Sequence, residues 1–166
     1  MGTEQRNKAN GGPRMSIDVI GMSSVSVNLT GTTVSTPLGQ CLIPAGALGP
    51  NGQLRVNLAY SHNNSAGTKR LTAVIAGVTV FDSGLQTTGT LTVSTSFRVR
   101  NRAALNAQLV SAPSAEYTGS ADSPNATAAI NFAIDQSIVF FGVLGSGGGD
   151  NISLDAWEVE YMRVGP

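Results

Sequence analysis

The chain has 166 residues with ten basic and ten acidic side chains, so its formal net charge is zero. Proteins that neutralise nucleic-acid phosphates need a surplus of lysine and arginine, and this balance therefore argues against a nucleic-acid partner. One cysteine excludes a disulfide framework within the chain, and no apolar run approaches the roughly 18 residues that a membrane-spanning helix requires.

Residues 1–14 are polar and lack the apolar side chains that would anchor them to a core. We predict a flexible N-terminal arm over 1–14 and a single domain over 15–166, because this length is typical of one domain. The alternative is an arm that becomes ordered on a neighbouring subunit, with Arg6, Lys8 and Arg14 as docking residues. The arm has no apolar region of the signal-peptide kind, so we expect no secretory export.

The first part of the domain alternates between strand signals and turn signals. From Gln53 to Tyr60 every second residue is apolar, which indicates a strand with one buried face. Gly49-Pro50-Asn51-Gly52, directly before it, predicts a tight turn. The same kind of alternation predicts strands at Ile17–Val19, Val25–Leu29, Leu42–Ile43, Leu71–Ile75, Val78–Phe81 and Thr90–Arg100.

The second part contains shorter and less regular signals. Ala107–Val110 predicts a short strand, and Ala112–Asn125, rich in serine, proline and glycine, predicts a long surface loop. Apolar residues at alternate positions predict a strand over Ile130–Ile134. Ile138–Leu144 is a continuous apolar run, which is typical of a strand buried on both faces.

The last stretch, Ile152–Val164, changes the parity of its apolar positions near Ala156–Trp157, and this change predicts a β-bulge. With it, the chain has about eight to ten strand signals, no helical periodicity and connections mostly too short for crossover helices. We therefore predict an all-β fold, an antiparallel two-sheet β-sandwich of the jelly-roll type.

The search for reactive side chains leaves no catalytic set. His62 is the only histidine and follows a strand in an asparagine-rich stretch, so we predict a solvated surface residue, and Cys41 a buried apolar one. Asp150 follows three glycines, where a plain glycine turn competes with a calcium ligand. Glu158 and Glu160 alternate on one face, as in an edge strand protected from aggregation or, alternatively, a glycosidase pair. We predict no enzyme, no cofactor and no metal site.

Two polar loops are the candidates for contact with a receptor or a carbohydrate, because binding residues concentrate on loops that a rigid scaffold presents. One follows the strand that ends near Tyr60, and the other is the long loop before Ile130. The candidate exposed binding residues are His62, Asn63, Asn64 and Tyr117.

One segment resembles a known family. The run IPAGALGPNGQLRV, Ile43–Val56, is followed by a polar asparagine-rich loop and by Thr68–Leu71, and Arg100–Arg102 closes a later strand. Together these features resemble a small β-sandwich module of tailed-bacteriophage virion proteins, over roughly Val25 to Met162.

The resemblance implies a structural protein of the virion, assembled in the host cytoplasm. It implies a capsid decoration or head-fibre protein, commonly a homotrimer, whose partners are the major capsid protein or other virion subunits. The alternative is a tail-associated fibre tip that binds a receptor or a host surface glycan. Because the chain holds one domain and a short arm without shaft repeats, we favour decoration of the head.

Overall fold

The computed structural model describes residues 15–87, 89, 91–110 and 126–164. The predicted arm, with Arg6, Lys8 and Arg14, lies outside these ranges, and so does Tyr117. The division into an arm and one domain therefore stays a prediction.

The described residues contain eleven strands and no helix, one strand more than the upper end of the expected range. The strand that the sequence did not predict is β9, which pairs with β8 over three residues. The strands are β1 (Met15–Ser23), β2 (Val27–Thr30), β3 (Thr36–Ile43), β4 (Gln53–His62), β5 (Lys69–Ile75), β6 (Val78–Asp82), β7 (Leu91–Asn101), β8 (Gln108–Val110), β9 (Ala126–Ala128), β10 (Gln136–Leu144) and β11 (Asn151–Val164).

The strands form two antiparallel sheets. The larger sheet has the order β1-β11-β4-β7-β8-β9, with β2 also paired to β11, and the smaller has the order β3-β10-β5-β6. Successive strands cross repeatedly between the sheets, from β3 to β4, β4 to β5, β6 to β7 and β10 to β11. This arrangement confirms the predicted antiparallel β-sandwich of the jelly-roll type.

The core lies between the facing sheets and follows from the alternation in the sequence. In β4, burial switches at every residue, and Leu54, Val56 and Tyr60 are at most 1% exposed. In the smaller sheet Ile75, Ile138 and Phe140 come from the opposite side and are fully buried. Side chains with period two thus meet across the gap between two stacked sheets.

The Ile43–Val56 segment is the crossover from β3 to β4. Leu48 is fully buried, and Gly52 passes so close to it that an added Cβ would lie 1.6 Å from the Leu48 carbonyl oxygen. Asn101 fixes the turn from β7, since its side-chain amide donates to the Gly49 carbonyl at 2.6 Å. Gly49 has a φ of 66°, a left-handed conformation that favours glycine.

The predicted β-bulge is confirmed. The register between β11 and β4 shifts between Leu154 and Ala156. Beyond the shift Trp157 packs against Phe140, with ring centroids 5.6 Å apart. A Cβ on Gly39 would lie 2.8 Å from the indole nitrogen of Trp157, so glycine makes room for this ring.

Two strand predictions from the second half are corrected. Residues 130–134 form an irregular turn and no strand, although Ile130 and Phe132 are each 1% exposed. Their amides are satisfied elsewhere, by the Gln108 side-chain oxygen at 2.7 Å and the Leu105 carbonyl at 2.9 Å. The alternation therefore marks two anchoring side chains of a turn. The run Ile138–Leu144 is not buried on both faces, because the outward residues of β10 are only partly covered.

Candidate functional site

The outer face of β1 carries apolar side chains. Met15, Ile17, Val19 and Met22 are 48–66% exposed. They pair with Val164, Met162, Glu160 and Glu158 of β11, in that order. We call these four side chains of β1 the apolar stripe. Strand β1 is at the end of the strand order among the described residues, so the stripe follows an edge of the larger sheet.

The inner face of β1 is mixed, because Ile20 packs against the core and Asp18 places a carboxylate on the same side. Asp18 lies opposite Tyr161, which packs against the core, so the Asp18 side chain lies on the core side. Its Oδ2 is buried and has no hydrogen-bond partner among the described residues. From Ile17 to Val19 the strand therefore reverses the usual pattern, with two apolar side chains outward and the carboxylate between them inward.

Beside the stripe, the outward carboxylates of β11 are paired with β4. Arg55 donates to Glu160, and this hydrogen bond raises the pKa of the Arg55 guanidinium. The Asn57 amide donates to Glu158 at 3.1 Å. The prediction that Glu158 and Glu160 protect an edge is wrong, because β1 and β2 cover one side of β11 and β4 covers the other.

An open groove of about 1170 Å³ lies at one end of the stripe. Its lining includes hydroxyl, amide and carboxylate groups from Ser94, Ser96, Asn57 and Glu158. Met22 contributes to its apolar wall, together with residues just after β1. A groove of this composition offers several hydrogen-bonding groups beside an apolar surface.

A second polar site is buried where the β4–β5 and β10–β11 connections meet. Lys69 is fully buried and Asp150 is 1% exposed, with the Lys69 Nζ 3.8 Å from the Asp150 Oδ1. The ammonium also donates to the Ser65 carbonyl at 2.8 Å. The hydroxyls of Ser65 and Ser146 donate to the Asp150 carboxylate. We call Ser65, Lys69, Ser146 and Asp150 the buried polar cluster.

The cluster keeps its carboxylate ionised. Hydrogen bonds from Ser146 and Ser65 lower the pKa of Asp150, and they and the positive charge of Lys69 outweigh the opposing effect of burial. Gly67 leaves the room for this arrangement, since a Cβ there would lie 1.8 Å from the Asp150 Oδ2. Asp150 is therefore more than a residue of a plain glycine turn. The positive charge next to the Asp150 carboxylate is the ammonium of Lys69. In the alternative prediction, a calcium ion had that position.

The prediction that His62 is a solvated surface residue is wrong. His62 is 2% exposed because β4 continues its alternation for two residues past Tyr60, so that position 62 points to the core side. Its Nδ1 lies 3.2 Å from the Asn63 carbonyl oxygen, and its Nε2 has no partner among the described residues.

The two asparagines after His62 differ from each other. Asn63 is partly buried and exchanges hydrogen bonds with Asn151, each backbone amide donating to the other's side-chain oxygen at 3.2 and 2.9 Å. Asn64 is exposed, and its side-chain oxygen accepts from the Gly89 amide at 3.0 Å. Of His62, Asn63 and Asn64, only Asn64 has the exposure that a binding residue needs. A binding role for this loop stays a prediction.

Reactive and metal-binding groups are sparse in the part of the chain that the structure describes. No three histidine, cysteine, aspartate or glutamate side chains there are grouped so that they could hold a metal ion. Cys41 is buried as predicted, and burial raises the pKa of its thiol. Within the same ranges no helix is long and apolar enough to cross a membrane.

Sequence reasoning missed the apolar stripe and Lys69. It found Ile17 and Val19 as a strand signal but could not tell which face of that strand meets the core. It passed over Lys69, since a lysine at a strand end is ordinarily solvated.

The fold is similar to solved structures at low sequence identity. The CBM2 module of the evolved Dit protein of Lactobacillus casei BL23 phage J-1 has a TM-score of 0.46 and 11% identity, over 92% of this chain and 99% of that chain. The VP2 subviral particle of infectious bursal disease virus has a TM-score of 0.39 and 14% identity, over 92% of this chain and 33% of that one. Latent PorU from Porphyromonas gingivalis has a TM-score of 0.41 and 9% identity, over 84% of this chain and 13% of that chain. No family model matches the sequence, and no curated protein matches it.

Proposed function

We propose that this chain is a structural subunit of a bacteriophage particle, a capsid decoration or head-fibre protein that docks on the particle as a homotrimer and stabilises it. The observation that carries the proposal is the apolar stripe, four side chains that are about half exposed or more and lie together along one edge strand. Exposed apolar side chains that lie together along an edge provide a surface that docking on another protein would remove from water.

The assignment to a phage particle is supported by the sequence of the β3–β4 crossover. The Ile43–Val56 segment resembles the virion module, and its residues have a structural purpose here, with a buried Leu48 and a turn held by Asn101. A crossover anchored in this way suits a subunit that must keep its fold while it is bound in a capsid lattice.

Stabilisation by docking follows from the amount of apolar surface that docking covers. Each square ångström of apolar surface removed from water contributes about 25 cal/mol, and the loss of freedom on association offsets a large part of that gain. The predicted arm, with Arg6, Lys8 and Arg14, would add contacts to the major capsid protein or another subunit. The proposal gives Glu158 and Glu160 no catalytic role, since Asn57 and Arg55 engage both carboxylates.

The test is to locate the chain in particles of the virus that encodes it. We expect electron cryomicroscopy of intact particles to place an eleven-strand sandwich on the outside of the capsid shell, in groups of three. Particles assembled without the chain should lose their genome at a lower temperature than complete particles. Density for the chain only at the tail tip, or no density at all, contradicts the proposal.

A second candidate function is a tail-associated tip that binds a host surface glycan. The groove favours it, because Ser94, Ser96, Asn57 and Glu158 supply the hydroxyl, amide and carboxylate groups that hydrogen-bond sugars. In this candidate function the glycan binds on the outer face of the larger sheet, whereas the sequence predicted binding by the polar loops.

A glycan array tests this candidate. If it is right, the chain binds at least one host-surface glycan, and Ser96→Trp, which fills the groove, abolishes that binding. Gln40→Trp is the control, since Gln40 is exposed in the smaller sheet and does not line the groove. Absence of binding, or equal binding by both variants, removes the candidate.

A further inference from the structure

We propose that the groove on the outer face of the larger sheet binds N-acetylated sugars and recognises their acetamido group. The inference deepens the second candidate function and rests on it, because it names the class of glycan that the groove takes. It does not depend on whether the chain lies on the head or on the tail of the particle.

The first argument is a row of four side chains that crosses four neighbouring strands. Strand pairing places Met22 of β1 opposite Glu158 of β11, Glu158 opposite Asn57 of β4, and Asn57 opposite Ser96 of β7. All four residues line the groove. Because neighbouring strands lie about 4.8 Å apart, a thioether, a carboxylate, a carboxamide and a hydroxyl follow one another at roughly that spacing. We call Met22, Glu158, Asn57 and Ser96 the groove row.

The second argument is the shape that the adjacent rows give to the groove. The row on one side has three small side chains, which line the groove as its floor: Ala156, Ala59 and Ser94. The row on the other side has three long side chains: Glu160, Arg55 and Arg98. The groove row therefore lies at the border of a depression. A ligand that lies over the small side chains contacts the groove row with its edge.

The third argument is that an acetamido group matches the groove row in its chemistry. Glu158 accepts from the Asn57 amide through Oε2 at 3.1 Å, which leaves Oε1 to accept from the ligand N–H. The exposed hydroxyl of Ser96, two strands away, can donate to the ligand carbonyl. In a trans amide the N–H and the C=O point in opposite directions, so an acceptor and a donor separated by Asn57 suit it.

The methyl group of the acetamido has an apolar partner at the same place. Met22, directly opposite Glu158, is 66% exposed, and Val25, which also lines the groove, is 72% exposed. A methyl group that covers part of these side chains removes apolar surface from water. A sugar with only hydroxyl groups has nothing to place there.

Other classes of ligand match the groove less well. An anion meets the negative charge of Glu158. A cation competes with Arg55, whose pKa is raised chiefly by the hydrogen bond to Glu160 and also by the nearby charge of Glu158. An extended peptide pairs with the edge of a sheet, whereas the groove lies over β11 and β4, whose backbones are paired with strands on both sides.

The experiment compares three tetrasaccharides that differ only in the group on carbon 2 of each ring. Chitotetraose has acetamido groups, cellotetraose has hydroxyls, and the deacetylated form of chitotetraose has amines. Isothermal titration calorimetry on the full chain at neutral pH measures each dissociation constant. Chitotetraose should bind about tenfold more tightly than the other two, because it alone offers a donor, an acceptor and a methyl group together.

Two variants assign this preference to the groove row. Glu158→Gln keeps the size of the side chain but removes its charge, so it should weaken chitotetraose about tenfold and abolish its advantage over cellotetraose. Met22→Ser should weaken chitotetraose about fourfold through loss of the methyl contact. Met15→Ser is the matched control and should leave binding unchanged, since Met15 is 65% exposed on the same strand but does not line the groove. Circular dichroism should report the same β-sandwich in every variant.

The outcomes separate the acetamido assignment from the function on which it rests. Equal binding of chitotetraose and cellotetraose, or array binding confined to sugars without an acetamido group, overturns the assignment and leaves the glycan candidate standing. Tighter binding of the amine form overturns it in favour of a cation site. Tighter binding of N-acetyl-alanine methylamide overturns it in favour of a peptide site. Equal losses in Met22→Ser and Met15→Ser overturn the location in the groove. Absence of binding to any sugar, in calorimetry and on the array, overturns both.

Discussion

The buried polar cluster and the apolar stripe are two opposite departures from the rule that apolar side chains lie inside and polar ones outside. In the cluster, a lysine and an aspartate are buried at one end of the sandwich. In the stripe, four large apolar side chains are exposed along an edge strand. Within the cluster the cost of burying two charges is offset, because Lys69 and Asp150 face each other and serine hydroxyls donate to the carboxylate. No described residue covers the stripe from water in the same way.

The difference separates a feature that serves the fold from one to which we assign a role in assembly only as a proposal. A buried charge whose partners lie in the same chain needs no second molecule to compensate for its lost hydration. The exposed apolar side chains of β1 have no cover among the described residues, and the proposed function assigns that cover to another subunit.

The largest effect is expected from removal of one charge of the cluster. Lys69→Met should lower the free energy of unfolding by about 3–5 kcal/mol, because it leaves a buried carboxylate without its cation. Urea denaturation followed by circular dichroism measures it. The matched control is Arg70→Met, the next residue in β5, whose pair with Asp82 is partly exposed, and it should cost less than about 1 kcal/mol. Equal losses in the two variants would mean that the cluster is no more than a surface ion pair.

A smaller effect of opposite sign is expected in β1. Asp18→Val should raise the free energy of unfolding by about 1–2 kcal/mol, because it removes a buried carboxylate oxygen that lacks a partner. Thermal and urea denaturation of the same sample measure the gain. Asp155→Val is the control, because Asp155 accepts a hydrogen bond from the Ser26 hydroxyl at 2.9 Å and its loss should not stabilise the chain. A destabilised Asp18→Val variant would show that the inward carboxylate has a necessary partner.

The smallest and most gradual effect is the dependence on acid. The folded state lowers the pKa of Asp150, so the unfolded chain binds more protons in acid. The stability due to this carboxylate is complete above the unfolded pKa, near 3.8, and is lost as the pH falls through the lower folded pKa. The urea midpoint should be level from pH 7 to about pH 5 and then decline.

Comparison with Asp150→Asn isolates the contribution of this group to that decline. The variant should be less stable at pH 7 and should lose less on acidification than the wild type. Part of the decline should remain, since the hydrogen bond from Arg70 lowers the pKa of Asp82 against the opposing effect of its burial. An identical acid profile in wild type and variant would show that the cluster is not linked to proton binding.

Local patterns were sufficient for most of the fold. The strict alternation in β4, the turn at Gly49–Gly52 and the parity change near Ala156–Trp157 were correct, because each depends on neighbours along the chain. The alternation at 130–134 misled, since two apolar side chains also anchor an irregular turn, and a count of alternating residues does not distinguish the two cases.

The candidate sites depended on contacts between distant segments, and the sequence alone did not reveal them. Alternation defines two faces of β1, but pairing with the last strand decides that Val19 lies beside Glu160 and faces outward. Lys69 begins β5 and Asp150 directly precedes β11, so the two residues are far apart in the sequence and meet only in the folded chain. His62 was misjudged for the same kind of reason, because the strand continued beyond the point where its polar composition suggested an end.

The pairing of Met15 with Val164 places the two ends of the described chain next to each other at one corner of the larger sheet. A short linker between them would close the polypeptide into a ring, and new ends could be opened at the Ala76-Gly77 hairpin turn, where φ values of 50° and 78° mark a tight reversal at the surface. Such a circular permutant would keep every strand pairing while moving the points at which a foreign domain or an epitope can be fused.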